Sequence, residues 1–467
     1  MSMAAEPDMV RHRNLAKTRK EQSMNAPAVS PARRIAWELL LRIERDRAYA
    51  DRLLESTLRR HRLEERERAL LTELLHGVLR WKRRLEFLLQ RLLQNELRYY
   101  PLPLRVALAM GVYQLLFLER IPPYAVVHQM VELVKPLGTG AARLVNAVLR
   151  QALREYAGKE LQPEALGADI ATWYSYPDWI ARRWCRRFGC EEAIALMQAQ
   201  NQRPPTTLRV NPQRSSPEEL LRWLTAKGAT AGISPYCAQC IVAEQLLHEQ
   251  LQEVLQRGWA SVQDVSAVLI VQLADVQPGM RVIDLCAAPG GKSCALAERL
   301  GGEGVLEVVD VHPGRLRLVE QEARRLGVAA PMRFHVADAR TVSLAPADCV
   351  LADVPCSGLG TIAKKPDIKW HRREEDISAL VQLQWEILQN AARLVRPGGV
   401  LLYSTCTIEP EENEQQVERF LREHPEFTVE PATQWLPEVV CRDGMLQTLP
   451  HRHAHCDGAF AVRLRRQ

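Results

Sequence analysis

The chain has 467 residues, 47% hydrophobic and 25% charged, enough apolar material for about two to four domains with cores of their own. No apolar run approaches the ~18–20 residues of a membrane helix, and the N-terminus lacks the apolar stretch of a secretory leader. A net charge of +6 is too mild to mark a nucleic-acid binder, and eleven cysteines without regular spacing suit a reducing cytosol better than a disulfide scaffold, so a cytoplasmic protein is expected.

Residues 1–30 mix Met, Ala, Pro, Ser and basic side chains without periodicity and read as a disordered basic tail, in which Met24 is an alternative start. From Ala32 the pattern turns helical. Ala36, Leu39, Leu40 and Ile43 recur at helical spacing, and leucine stripes repeat through "RVALAMGVYQLLFL" and "AARLVNAVLRQAL", with Pro and Gly between them. Residues 31–165 are therefore expected to form an all-helical domain. Residues 166–255 mix short signals: a strand at "TTLRVN", a helix at "SPEELLRWLTAKG" headed by Ser216, and a further strand at "CIVA". They read as a small α/β unit, with the polar "LRVNPQR" on or near a strand. From 256 to 467, apolar runs of strand length ("RVIDLC", "GVLEVVDV", "MRFHVAD", "DCVLADVP", "GGVLLYSTC") alternate with amphipathic helices. That alternation predicts a mostly parallel sheet covered on both faces, with "AFAVRLRR" as an added edge strand. Five basic clusters, "RHRNLAKTRK", "RWKRR", "RRWCRR", "WHRR" and "RLRR", together suggest a polyanionic partner.

Ligands of such folds bind beyond the carboxyl ends of the strands. The first strand runs into "DLCAAPGGKS" (284–293), where Pro289, Gly290 and Gly291 make a tight turn that lets backbone approach a ligand at a helix N-terminus. It is neither a Walker loop nor GxGxxG. The second strand ends at Asp310, at a distance that suits an acid to a ribose diol. The third ends at Asp338, the fourth in "ADVPCSG" and the fifth in "STCTIEPEENE". Cys356 and Cys406 thus lie just past two strand ends, and pairing of those strands would bring the thiols together. Most other cysteines read as small buried hydrophobes. Cys237–Cys240 is a CxxC without a second pair, and the alternating histidines of "HRHAHCD" (451–457) read as incidental, so no metal site is expected.

Taken together, "DLCAAPGGKS", "DVPCSG" and "STCTIEPEENE" resemble the RNA 5-methylcytosine methyltransferases that use S-adenosylmethionine. "KKPDIKWHRREEDI", "RRIAWELLLRI", "ERALLTELLHGVLRWKRRL" and "ARLVNAVLR" narrow the resemblance to the bacterial RsmB (Fmu/Sun) group over residues 31–467, with Val354 and Lys365 as departures from the usual alanine and histidine. The resemblance implies a NusB-like RNA-binding domain, a small linker domain and a Rossmann-like class I methyltransferase domain. The substrate implied is one cytosine of 16S ribosomal RNA, usually numbered 967, with no obligate protein partner. Carried over by motif, Cys286, Ala287, Ala288, Pro289, Gly290, Gly291 and Lys292 would line the cofactor pocket. Asp310 would take the ribose hydroxyls, Asp338 would lie at the adenine, and Asp353 would stand between cofactor and base, donating to N3 if protonated. Cys406 would attack C6 of the cytosine, Cys356 would assist release, and Arg209 and Asn211 would hold RNA phosphates. Two rivals stay open: a tRNA cytosine methyltransferase and a non-catalytic RNA-binding assembly factor.

Overall fold

A computed structural model describes residues 29–467. The expected tail falls outside the described residues as far as position 28. The chain divides into two compact units, the first reaching to Ser175 and the second running from Tyr176 to Gln467.

Among the described residues the longer helices of the first unit are α1 (Pro31–Asp46), α2 (Ala50–Arg60), α3 (Glu65–Gln90), α4 (Leu102–Phe117), α5 (Pro123–Val134) and α6 (Thr139–Glu155). Ser30 caps α1, its hydroxyl accepting from the Arg33 amide. The helical stripes turn inward: Ala36, Leu39, Leu40, Ile43, Leu71, Leu74 and Leu75 are all buried in one core. Gly77 on α3 lets α4 come close, because a Cβ there would lie 2.0 Å from the Tyr113 ring.

The second unit opens with α7 (Asp178–Phe188) and α8 (Cys190–Gln200). A four-stranded antiparallel sheet follows, ordered β2–β3–β1–β4, from β1 (Thr206–Val210), β2 (Thr230–Ile233), β3 (Cys240–Gln245) and β4 (Ala260–Val262). Between these strands lie α9 (Pro217–Ala226) and α10 (His248–Gln256). Ser216 and Glu219 form a reciprocal capping box at the head of α9. The small sheet thus takes in β4, past the expected limit at 255. Next comes α11 (Val265–Ala274), apolar on every side and without the periodicity that marks a surface helix.

The large sheet carries the chemistry. Its parallel part comprises β5 (Arg281–Asp284), β6 (Val305–Asp310), β7 (Met332–Val336), β8 (Ala347–Asp353) and β9 (Val395–Thr405), in the order β9–β8–β5–β6–β7. Among the intervening helices are α12 (Gly291–Leu300), α13 (Pro313–Leu326) and α14 (Asp376–Leu394), and α15 (Glu414–Glu423) follows β9. The C-terminal strand is not an edge. β13 (Ala459–Arg466) pairs antiparallel with β9 on one side and with β12 (Met445–Thr448) and β10 (Phe427–Glu430) elsewhere, and β11 (Cys441–Arg442) closes the sheet. These short strands lack the apolar alternation that would announce them.

Arg209 and Asn211 are fully buried. The Arg209 guanidinium pairs with Glu298 and donates to Gln263 at 2.7 Å, while Asn211 donates to the carbonyls of Gly258 and Leu326. A buried arginine must be paired, and this one braces β1 against α12 rather than facing an RNA phosphate.

Several members of the described basic clusters likewise make internal contacts. Arg84 stacks 3.5 Å from the Trp173 ring, and Lys82 pairs with Glu44 at 2.6 Å. Arg372 donates to the carbonyls of Cys356 and Ser357, and Arg463 and Arg465 share Glu430. "RHRNLAKTRK" lies outside the described residues. Among the described residues no helix is long and apolar enough to cross a membrane, and no group of three or more His, Cys, Asp or Glu side chains is placed to hold a metal.

Candidate active site

Three neighbouring strands of the large sheet, β8, β5 and β6, end in carboxylates: Asp353, Asp284 and Asp310. Residues 285–290 bridge β5 to α12, with Gly291 and Lys292 in its first turn. Gly290 has φ +110°, and a Cβ there would meet the Val319 backbone at 2.9 Å, so only glycine fits without displacing α13. Asp310 steadies the loop, accepting from the Ala288 amide at 3.3 Å and from the His312 amide at 2.9 Å.

Asp284 is buried and accepts from the Ser293 hydroxyl at 2.6 Å, but its second oxygen, Oδ1, has no hydrogen-bond partner among the described residues. Burial, with Asp353 nearby, pushes its pKa up to about 7 against the Ser293 hydrogen bond. Burial and the three carboxylates likewise raise the Cys286 thiol, which keeps it uncharged. Asp338 stands apart from this group. Its hydrogen bonds from Arg340 hold the carboxyl below the usual carboxylate range. Among the described residues no hydrogen bond links it to the glycine loop, although the Ala337 amide beside it donates to the Asp310 carbonyl.

Lys292 points from the start of α12 to Asp353, Nζ to Oδ2 being 2.8 Å. Burial disfavours its charge, yet Asp353 outweighs burial and holds the ammonium above its ordinary pKa. The other Asp353 oxygen accepts from Ser404 Oγ at 2.8 Å. Asp353 is thus held at both oxygens, by Lys292 on one side and Ser404 on the other.

β8 and β9 are parallel neighbours, with Asp353 opposite Ser404 in register. The loops that continue them place Cys356 and Cys406 with their sulfurs 3.3 Å apart, and the Cys406 amide donates to the Cys356 sulfur at 3.4 Å. The pair is electrostatically unequal. The hydrogen bond from Cys356 draws the Cys406 thiol below its ordinary pKa against burial and Asp353, with Lys292 and Lys365 assisting. That same hydrogen bond, burial, and the charge of Cys406 push Cys356 well up. Deprotonation is therefore favoured at Cys406 and disfavoured at Cys356.

A second layer of polar side chains holds the two loops together. Glu412 is fully buried; its carboxylate accepts from the Ser357 amide and hydroxyl and from Gln384 Nε2 at 2.8, 2.5 and 2.8 Å. Ser357 Oγ lies 2.6 Å from Thr407 Oγ1, and Asn413 ties Thr405 to the Thr407 carbonyl. Glu409, buried, accepts from Arg183 and from Trp184 Nε1 on α7, and Arg187 donates to the Ile408 carbonyl. Half of "RRWCRR" thus anchors the loop after Cys406, while Arg182 and Arg186 stay exposed. Sequence reasoning passed over Ser357, Gln384, Glu412 and Arg183. The nearest signal was the acidic run "EPEENE" itself, because four carboxylates so close to a thiol need partners if any of them is buried.

Comparison with known proteins identifies the arrangement. Residues 271–465 match the family model described as 16S rRNA methyltransferase RsmB/F, residues 30–154 the NusB family, and residues 176–248 a ferredoxin-like domain described as RsmF/B-like. A Bacillus subtilis (strain 168) protein named "Probable ribosomal RNA small subunit methyltransferase B" is 34% identical over 93% of this chain and 98% of its own. The ribosomal RNA small subunit methyltransferase B of Cronobacter sakazakii (strain ATCC BAA-894) is 36% identical over 82% of this chain and 90% of its own. The crystal structure of PH0851 superposes with a TM-score of 0.75 at 26% identity, covering 94% of this chain and all of that one. With a NusB domain, a ferredoxin-like domain and the paired-thiol sheet in one polypeptide, the chain belongs to the RsmB/F family of 16S rRNA methyltransferases.

Proposed function

We propose that the protein methylates C5 of one cytosine of 16S ribosomal RNA, the 967-equivalent position, using S-adenosylmethionine and a transient bond between Cys406 and C6. The observation that carries this reading is the sulfur pair at 3.3 Å, with Cys406 drawn toward thiolate.

The residues present suit the cofactor. Carboxylates at three adjacent strand ends, one with a buried oxygen lacking a partner, match a ligand bearing a sulfonium, an ammonium and a ribose diol. Residues 286–292 would form the cradle, Asp310 would accept from the ribose hydroxyls, and Asp338, through the segment that bears it, would border the adenine. When bound, S-adenosylmethionine supplies an electrophilic methyl group.

Cytosine C5 is a weak nucleophile. Addition of the Cys406 sulfur to C6 breaks the aromatic system and makes C5 enamine-like, which is nucleophilic covalent catalysis. Asp353 accepts from the exocyclic N4 amino group and orients the ring, with Lys292 and Ser404 fixing the carboxylate. Formation of the bond consumes the charge on Cys406, which had raised the Cys356 pKa. With that charge gone, Cys356 gives up its own proton to solvent, and the resulting thiolate accepts the C5 proton. The electron pair of that C–H bond restores the C5–C6 double bond and expels Cys406. The target base must leave any stack to reach the site, at a cost smallest in a loop.

Incubation with isotopically labelled S-adenosylmethionine and unassembled 16S rRNA, mapped by bisulfite sequencing, should mark a single cytosine. Label on tRNA alone would favour the tRNA methyltransferase, and absence of S-adenosylmethionine binding would favour the non-catalytic assembly factor.

A further inference from the structure

A cavity of about 400 Å³ lies in the second unit, lined in part by Arg203, Pro204, Pro205, Lys364, Pro450 and His455. That volume is in the range of sites that hold small organic groups, about 300–1,000 Å³. No residue assigned above to the cofactor or to the thiol chemistry lines it.

Its floor is continuous with the segments that hold the catalytic cysteine. The Gly360 amide donates to the Cys406 carbonyl at 3.2 Å, and the Gly458 amide donates to the Gly360 carbonyl at 2.9 Å. Four residues beyond Gly360, Lys364 enters the cavity wall, and its ammonium donates to Asp457, immediately before Gly458, at 3.0 Å. Two lining residues, Lys364 and Asp457, thus lie on the segments that Gly360 and Gly458 tie to the Cys406 carbonyl, while neither Cys406 nor Cys356 lines the cavity.

Its exposed lining sets a guanidinium and an imidazole beside one exposed carboxylate, Glu244, while the Asp457 carboxylate is paired with Lys364. Arg203 and His455 are both exposed. Guanidinium and imidazole planes are surfaces on which an unstacked base rests, and a guanidinium also meets phosphate. The three prolines add rigid apolar edges. The histidine-rich loop divides here. His451 is bonded to Glu192 at 2.9 Å, and His453 is buried against Leu449 and the Val439 carbonyl. His455 alone of the three lines the cavity, at φ +66°, a backbone region that residues with a Cβ seldom adopt.

We infer that this cavity receives a nucleotide flanking the target cytosine on the same RNA strand, so that one base is held while its neighbour enters the thiol site. The inference rests on the RNA-methylating reading above and adds to it a subsite for sequence context.

The test uses the full chain and a single-stranded RNA fragment spanning the target, with abasic substitutions at each flanking position in turn. Binding is read by fluorescence anisotropy and methyl transfer by steady-state kinetics, for the wild type, Arg203→Ala and His455→Gly. Glycine accepts the backbone conformation at 455, so that variant keeps the fold and loses only the ring. Each variant should raise KM for RNA about tenfold, as expected for loss of one base or phosphate contact, with kcat changed by less than about twofold. One flanking abasic substitution should weaken wild-type binding about tenfold and weaken the Arg203→Ala protein no further, the mark of a shared contact. Unchanged KM in both variants, or no flanking position coupled to either residue, would overturn the inference. The binding scan needs no methyl transfer, so failure of the catalytic reading would show separately as absent methylation with the coupling intact.

Discussion

At Cys406 the reactivity of one sulfur depends on the groups around it, and these can be removed singly. The Lys292 charge lowers the Cys406 pKa, so Lys292→Gln should raise it. The ascending limb of the pH–rate profile, which follows the thiolate, should then move to higher pH, and Lys292→Arg should move it back. A limb that stays in place would show that the lysine does not act on the sulfur. Asp284 offers a stability measurement. Its pKa rises on folding from an ordinary value of about 4 to about 7, so unfolding releases a proton between those values and its contribution to stability falls as pH rises through that window. In thermal melts Asp284→Asn should gain on the wild type from about pH 4 to about pH 7 and hold a constant margin above that; a margin independent of pH would contradict the shift. At this scale the sequence was readable where a residue sits in a motif. Apolar runs place Asp310 and Asp353 at strand ends and Cys356 and Cys406 just past them, and the structure has them at those positions. Arg209 was not readable, because an arginine on a polar strand looks the same whether it meets phosphate or a glutamate. Its partner Glu298 comes from a distant helix, and only folding brings the two together.

At the scale of elements, the loop from Ile408 to Asn413 is held by buried polar bonds rather than apolar packing. Glu412→Ala would strand the Ser357 amide and the Gln384 donor inside the protein, at about 1–3 kcal/mol for each buried group left unpaired. The variant should melt lower and lose kcat more than RNA affinity, because the cost falls on the alignment of the two cysteine loops. Equal kcat would show that the loops align without it. Ser216→Ala removes one half of a capping box and should cost about 1 kcal/mol without effect on catalysis. The parallel strands and the cap at Ser216 were readable because apolar runs and capping residues are local signals. α11 was missed because a helix buried on all sides has no polar face. β10, β11 and β12 were missed because strands of two to four residues carry too little pattern to separate from loops.

At the scale of the molecule, among the described residues the first unit's core draws on residues 29–156 with Leu161 and Leu166 packed against it, and the large sheet's cores draw on residues from 236 onward. A protein truncated to residues 176–467 should therefore melt cooperatively and bind S-adenosylmethionine as the full chain does, while binding 16S rRNA more weakly; non-cooperative melting would show that the sheet needs the helical unit. The order of the three kinds of domain was readable from periodicity and punctuation. Which arginines face solvent was not, since four of the five basic clusters fall among the described residues and supply internal braces. The most direct measurement is a denaturing gel of 16S rRNA incubated with S-adenosylmethionine and each cysteine variant. Cys356→Ala should remain covalently attached to RNA, and Cys406→Ala should give neither adduct nor methyl transfer. Methyl transfer by the Cys406→Ala protein would contradict a mechanism in which that sulfur attacks the base.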